Sequence, residues 1–188
     1  AGKRQVASAC AAAVLVSFAS MAGRGNAWLG PDGKGLMDAF NPAGHDLGVQ
    51  WFGRLGQEEV EAAIQGCTAV TGRYLLAMPN VAVNGVDYTA NVISEPERFH
   101  LPRGRASSTA REIALTEFAA AGLGVDVGDA VTLSAGGKSG DYTVAGIYQC
   151  ANGMGANLGM GREGHALIGE ETPSMALPLL PGGPRPKS

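Results

Sequence analysis

The sequence predicts an α+β fold: a small mixed, mainly antiparallel sheet with short helices, preceded by one N-terminal hydrophobic helix. Three observations predict it. Short apolar–polar alternations recur between residues 49 and 148, bounded by glycines and turn pairs. Asn84-Gly85 separates Val81-Ala82-Val83 from Val86-Asp87-Tyr88, a hairpin signal because both turn residues accept positive φ. The connections between successive strands are too short for many parallel crossovers.

The hydrophobic helix rests on residues 6–22, VASACAAAVLVSFASMA, a run of 17 residues without a charge. Lys3 and Arg4 precede it and Arg24 follows. A membrane-spanning helix needs roughly 20 apolar residues, with about 17 as the lower limit. Basic residues before the run place that end in the cytoplasm, and Arg24 weakens the asymmetry. The same run fits a signal peptide, with a basic start, an apolar centre and the small-x-small triplet Ser20-Met21-Ala22. It also fits an Ala-rich buried helix. Length and flanks leave these three readings open, and the first two send the rest of the chain out of the cytoplasm.

The remaining elements follow in order. Residues 23–48 read as a connector, broken by Gly30-Pro31-Asp32-Gly33-Lys34-Gly35 and by Asn41-Pro42. Residues 49–52 read as a short strand. Residues 57–65 read as a helix with Val60 and Ile64 on one face, ended by Gly66. A strand over 68–78 is interrupted at Gly72, and the Asn84-Gly85 hairpin follows. Ile113 and Leu115 mark a strand, after which Thr116 caps a short helix over 118–121. Gly122 and Gly124 stop that helix. Val125 and Val127 lead into a Gly128-Asp129 turn. Val131 and Leu133 share a face, and residues 135–140 are too glycine-rich to stay in a strand. Tyr142, Val144 and Gly146 alternate with Thr143, Ala145 and Ile147 in a final strand. Beyond Tyr148 the glycines at 153, 155, 159, 161 and 164 read as flexible loop. The tail LPLLPGGPRPKS from Leu177 reads as disordered.

Composition limits the function classes. The 188 residues suit one domain of about 100–150 residues plus extensions. A net charge of −3 and the lack of a Lys/Arg cluster argue against a nucleic-acid partner, since phosphate neutralisation supplies most of that affinity. Charged residues are sparse at 16%, which fits a chain partly in contact with a lipid bilayer.

No site for catalysis, cofactor or metal is expected. Gly159-Met160-Gly161-Arg162-Glu163-Gly164 spells G-x-G-x-x-G, but that fingerprint binds dinucleotides only between a strand and the helix of a βαβ unit. Gly33-Lys34 lacks phosphate-loop spacing, and Gly35 stands where a Ser or Thr is needed. His45, His100 and His165 are scattered without metal-ligand spacing. No G-x-S-x-G elbow is present, and Ser139 lies in a turn. Glu112 and Glu117 read as a strand-edge carboxylate and a first-turn helix carboxylate rather than an acid–base pair. Cys67 and Cys150 are expected to pair in an external domain, a link whose loop closure would contribute about 4 kcal/mol, although two buried free thiols fit the spacing equally well.

One array carries a resemblance. Glu112-Ile113-Ala114-Leu115-Thr116-Glu117 is followed by LGVDVGDAVTL over 123–133 and by Tyr142-Thr143-Val144-Ala145-Gly146-Ile147-Tyr148. Upstream, FHLPRGR over 99–105 matches an "L-x-x-GR" loop. Together these segments resemble the extracytoplasmic domain of FtsX-like (MacB-like) ABC transporter permeases, closely over about forty residues and more loosely back to Val49. The resemblance implies a layout of membrane helix or signal segment (1–24), connector (25–47), MacB-like core domain (48–170) and disordered tail (171–188).

It also implies a non-enzymatic, single-span membrane protein whose domain lies on the extracytoplasmic side. Such a domain couples ATP-driven helix motion to substrate export or to partner proteins. Its implied partners are an ABC ATP-binding subunit, the other permease segments and a second permease. The family continues into further membrane helices that this sequence lacks, so a complete permease is not expected. The alternative is a secreted β-rich binding module released by cleavage near Ala22. Swapped-hairpin DNA-binding proteins share an "LGL-x-x-GD-x-V" element, but their basic face is missing here.

Overall fold

The computed structural model describes residues 44–51, 56–170 and 173–181. The hydrophobic run at 6–22, Cys10 and the Gly33-Lys34 pair lie outside the described residues. Among the described residues no helix is long and apolar enough to cross a membrane.

Among the described residues ten strands form one mixed sheet. The elements are β1 (Val49–Gln50), α1 (Gln57–Cys67), β2 (Gly72–Ala77), β3 (Asn80–Val83), β4 (Val86–Ile93), β5 (Arg103–Gly104), β6 (Glu112–Thr116), α2 (Glu117–Leu123), β7 (Ala130–Ala135), β8 (Lys138–Tyr148), β9 (Asn157–Gly161), α3 (Arg162–His165) and β10 (Met175–Leu179). Short 3₁₀ turns cover Pro96–Arg98 and Asn152–Gly155.

The sheet closes on itself. From β4 the pairing runs to β3, β7, β8, β6 and β9, and β9 then pairs in parallel with β4 from Thr89↔Asn157 to Ile93↔Gly161. Closure leaves the ring without free edges. The sequence reading expected a small mixed sheet and did not anticipate this closure. Two parallel contacts make it: β4–β9 and β6–β8. Both join strands far apart in sequence, so the short turns between consecutive strands do not forbid them.

The two-residue period of the strands assigns the faces. On β4, Tyr88, Ala90 and Val92 point into the ring with Val83, Ile113, Leu115, Leu133, Val144, Leu158 and Met160. All of these are buried. Ala119 and Ala120 of α2, with Ile168 after α3, join the same core. The opposite face of β4 supplies Ile93 to a second cluster with Tyr74, Leu76, Phe99, Tyr148, Cys150 and Leu177. Beyond it, α1 lays Val60 and Ile64 against Ala176 and Leu75 on the outer face of β2 and β10.

A bulge in β8 feeds both clusters. The β6–β8 register passes from Ile113↔Val144 to Ala114↔Gly146, which leaves Ala145 as an extra residue. Val144 and Ile147 therefore both enter the ring core, whereas strict alternation would have sent Ile147 outward. Tyr148 then turns to the second cluster.

Local signals acted as their chemistry dictates. Asn84 and Gly85 have φ of 50° and 82°, and the β3–β4 hairpin closes with Val83 opposite Val86. The Thr116 hydroxyl oxygen accepts the Ala119 N–H at 3.1 Å, and Gly124 ends α2.

Several expectations need correction. Gly66 and Gly122 are accommodated inside α1 and α2 instead of ending them. Gly72 opens β2 rather than interrupting a longer strand. Lys138-Ser139-Gly140 belong to β8, because Gly136-Gly137 alone make the turn from β7. The tail is ordered through Leu179: β10 inserts between β1 and β2, and Leu177 is buried in the second cluster. Pro178 lies past the two positions at which β1 pairs with β10, and there its carbonyl accepts the Asp46 N–H at 3.3 Å while no ladder bond needs the N–H that proline lacks.

Candidate functional site

The segments that carry the family resemblance converge on β8. Gly104 of β5 lies opposite Gly146 of β8. Arg105, the next residue, reaches Glu112 at the start of β6, with Nη1 to Oε2 at 2.8 Å. The backbone N–H of Ser108 donates to the same oxygen at 2.8 Å. These donors, the Arg105 guanidinium first, hold the Glu112 carboxyl down at about 2. Arg103 donates to both carboxylate oxygens of Asp126 at 3.0 Å. The Asp129 carboxylate accepts the Asp126 N–H at 2.8 Å, and Gly128 N–H donates to Val144 O at 2.8 Å. The GR, EIALTE, VGD and GIY pieces thus staple one corner of the ring.

The second feature is a buried polar network beside the second cluster. Asn91 projects from β4 on the face away from the ring and is 2% exposed. Its amide nitrogen donates to the Tyr148 hydroxyl at 2.9 Å and to Asn157 Oδ1 at 3.1 Å. Cys150 Sγ lies 3.9 Å from the same nitrogen. The Tyr148 hydroxyl donates to Asn157 Oδ1, and Asn157 Nδ2 donates to the Asn152 carbonyl at 2.5 Å. Burial pushes the Tyr148 hydroxyl and the Cys150 thiol upward, so both stay protonated at neutral pH.

A cleft of about 360 Å³ opens over this network. Leu76, Ile93, Phe99 and Leu177 form apolar walls, and Met78 and Met175 flank them. Asn91, Asn152, Gln50 and His45 supply the polar lining, and among the described residues no Asp, Glu, Lys or Arg contributes. Burial lowers the pKa of His45, which stands edge-on to Tyr74 with ring centres 6.3 Å apart. A second apolar groove, of about 610 Å³, runs between β1 and α1 past Trp51, Val60 and Ile64.

The residues weighed for chemistry do not come together. Glu112 is engaged by Arg105 and Ser108, and Glu117 opens α2. His165 is buried after β9, and His45 borders the cleft. Among the described residues no three His, Cys, Asp or Glu side chains are placed to hold a metal. The G-x-G-x-x-G stretch is buried strand and one helical turn, not flexible loop. Its glycines serve close packing: a Cβ on Gly159 would lie 2.7 Å from the Phe99 ring, and one on Gly164 would lie 2.8 Å from Ala110 O. The expected link between Cys67 and Cys150 is absent, and both are free thiols. Cys67 ends α1 on one face of the β2–β10 layer, while Cys150 packs with Tyr74 and Leu76 on the other.

Sequence reasoning missed Asn91, Tyr148 and Asn157 as a group. A faint signal existed in Asn91 itself, a neutral polar residue inside the apolar run Ala90-Asn91-Val92-Ile93.

No family model and no curated protein matches the chain. Solved structures do show similarity. The periplasmic region of MacB from Actinobacillus actinomycetemcomitans aligns over 71% of this chain and 67% of its own, at 13% identity and a TM-score of 0.45. A domain of a protein described as a permease from Porphyromonas gingivalis aligns over 64% and 61%, at 16% identity and a TM-score of 0.40. The extracellular domain of the ABC-type transporter YknZ from Gram-positive bacteria aligns over 71% and 83%, at 15% identity and a TM-score of 0.47.

Proposed function

We propose that this chain is the extracytoplasmic portion of an ABC transporter permease, with residues 1–24 as its membrane anchor. It is non-catalytic and couples ATP-driven motion of membrane helices to substrate export or to partner proteins. One observation carries the reading: the GR, EIALTE, VGD and GIY segments named by the sequence resemblance meet on β8 and interlock as a staple. A ring without free edges, stapled in this way, suits a body that passes on displacement without deforming.

Affinity purification of the full-length protein from membranes of its native host tests this. The reading predicts co-purification of an ATP-binding subunit whose ATP hydrolysis changes when Gly146 is replaced. Recovery of the protein with no nucleotide-binding partner would contradict it.

The cleft over Asn91 favours a second reading, a secreted binding module released by cleavage near Ala22. N-terminal sequencing of mature protein separates the two. A start at Gly23 in the soluble fraction selects secretion, and retention of residues 6–22 in the membrane fraction selects the anchor.

A further inference from the structure

We propose that Met154 is a modification site: the fold presents its thioether to solvent for reversible oxidation to the sulfoxide by hydrogen peroxide, while the other described methionines stay sheltered. The inference is independent of the transporter reading.

Met154 sits in the turn between β8 and β9 and is 93% exposed, more than any other large apolar side chain among the described residues. Met160 of β9 is buried in the ring core, and Met78 and Met175 pack against the second cluster. An oxidant must reach the sulfur, so exposure ranks Met154 first.

The backbone holds that exposure in place. Gly153, Met154 and Gly155 have φ of 57°, 55° and 85°, three consecutive left-handed residues. Glycine enters this region freely, whereas a methionine brings its Cβ against the following carbonyl oxygen. The turn is pinned nonetheless. The Thr116 hydroxyl donates to the Gly155 carbonyl, Asn157 Nδ2 donates to the Asn152 carbonyl at 2.5 Å, and Ala156 N–H donates to the Gly153 carbonyl at 3.0 Å. Neither burial nor backbone preference accounts for a methionine here. What it adds is a polarizable, oxidisable sulfur in water.

In the reaction a sulfur lone pair attacks one peroxide oxygen, and the S–O bond forms as the O–O bond breaks. The proton on the transferred oxygen passes to the departing hydroxide, which leaves as water. Sulfur loses two electrons and the peroxide gains them. Methionine sulfoxide reductases reverse the change. Phe118, 63% exposed, lies against Gly155, where a Cβ would come within 3.2 Å of Phe118 Cβ. Oxidation therefore puts a polar sulfoxide one residue from an exposed aromatic ring and leaves the core untouched.

The purified full-length chain is treated with dilute hydrogen peroxide, native and in urea, and each methionine is followed by peptide mapping. Native Met154 should oxidise as fast as in urea, ahead of Met78 and Met175 and at least tenfold faster than Met160. Chain oxidised at Met154 should keep its unfolding midpoint, and a methionine sulfoxide reductase should restore the thioether. Four outcomes would overturn the proposal. A severalfold acceleration of Met154 in urea would show that the native turn shelters it. Equal native rates at Met78 or Met175 would remove the selectivity. A lowered midpoint would show that the Met154 side chain packs on the fold, and a sulfoxide that the reductase leaves intact would remove reversibility.

Discussion

Gly104 and Gly146 stand opposite each other where β5 crosses β8, and neither position has room for a side chain. A Cβ on Gly104 would lie 2.4 Å from Ala145 O, and Gly104 also has a φ of 75°. A Cβ on Gly146 would lie 2.3 Å from Leu101 Cδ2 and 2.6 Å from Arg105 O. The bulge residue Ala145 directly precedes Gly146 in β8, and its carbonyl accepts the Arg105 N–H at 3.0 Å.

Gly146→Ala should therefore destabilise the fold by about 1–3 kcal/mol through overpacking. Gly104→Ala should cost more, because strain at positive φ adds to the clash. Urea unfolding midpoints of the two variants check this. A midpoint within error of the parent for Gly146→Ala would show that β5 does not cross β8 here.

Thr116 serves two partners from one buried hydroxyl. It accepts the Ala119 N–H and donates to the Gly155 carbonyl. Thr116→Ala should cost about 2 kcal/mol, from the loss of the cap and the stranding of a buried carbonyl. Thr116→Ser should recover most of that loss in thermal unfolding. Equal loss in both variants would make the Thr116 methyl group the important part.

The Arg105–Glu112 contact gives a pH dependence with a definite sign. The folded carboxyl titrates at about 2, below its ordinary 4.5. The unfolded state thus binds the proton more readily, so the contact stabilises the fold fully above about pH 4.5 and fades as pH falls toward 2. Glu112→Gln should flatten the decline of unfolding free energy across that window and lower stability by about 1 kcal/mol at pH 7. An unchanged acid limb in the variant would contradict the assignment.

The two described thiols should differ in reactivity. Cys67 is exposed at the end of α1, whereas Cys150 is buried and its thiol is pushed upward by burial. Brief iodoacetamide treatment followed by peptide mapping should find Cys67 modified and Cys150 modified only after denaturation. Detection of a Cys67–Cys150 peptide under oxidising, non-reducing conditions would contradict the structure.

What the sequence disclosed was local. The Asn84-Gly85 turn, the Thr116 cap and the in-facing Val131 and Leu133 follow from two to four neighbouring residues, and each stands as expected. Ring closure was hidden, because every element from β5 to β8 lies between β4 and β9 in the sequence. The bulge was hidden too, since Ala145 looks like any small strand residue until the β6 register skips it. Gly159 read as loop because a glycine in a strand earns its place from a distant ring, that of Phe99. Pro178 masked β10 for a similar reason: its tolerance depends on how short β1 is. The Asn91 network joins residues from β4, β8, β9 and the turn between them, and no spacing rule connects those positions.

The central claim is that this domain lies outside the cytoplasm on a membrane anchor, and Cys67 offers the most direct measurement of it. Full-length protein carrying Cys10→Ser is expressed in its host, and intact spheroplasts are treated with a membrane-impermeant maleimide before fractionation. The account predicts labelled Cys67 in the membrane pellet, at the level reached after lysis. Labelling that appears only once the membrane is broken would place the domain in the cytoplasm and contradict the account.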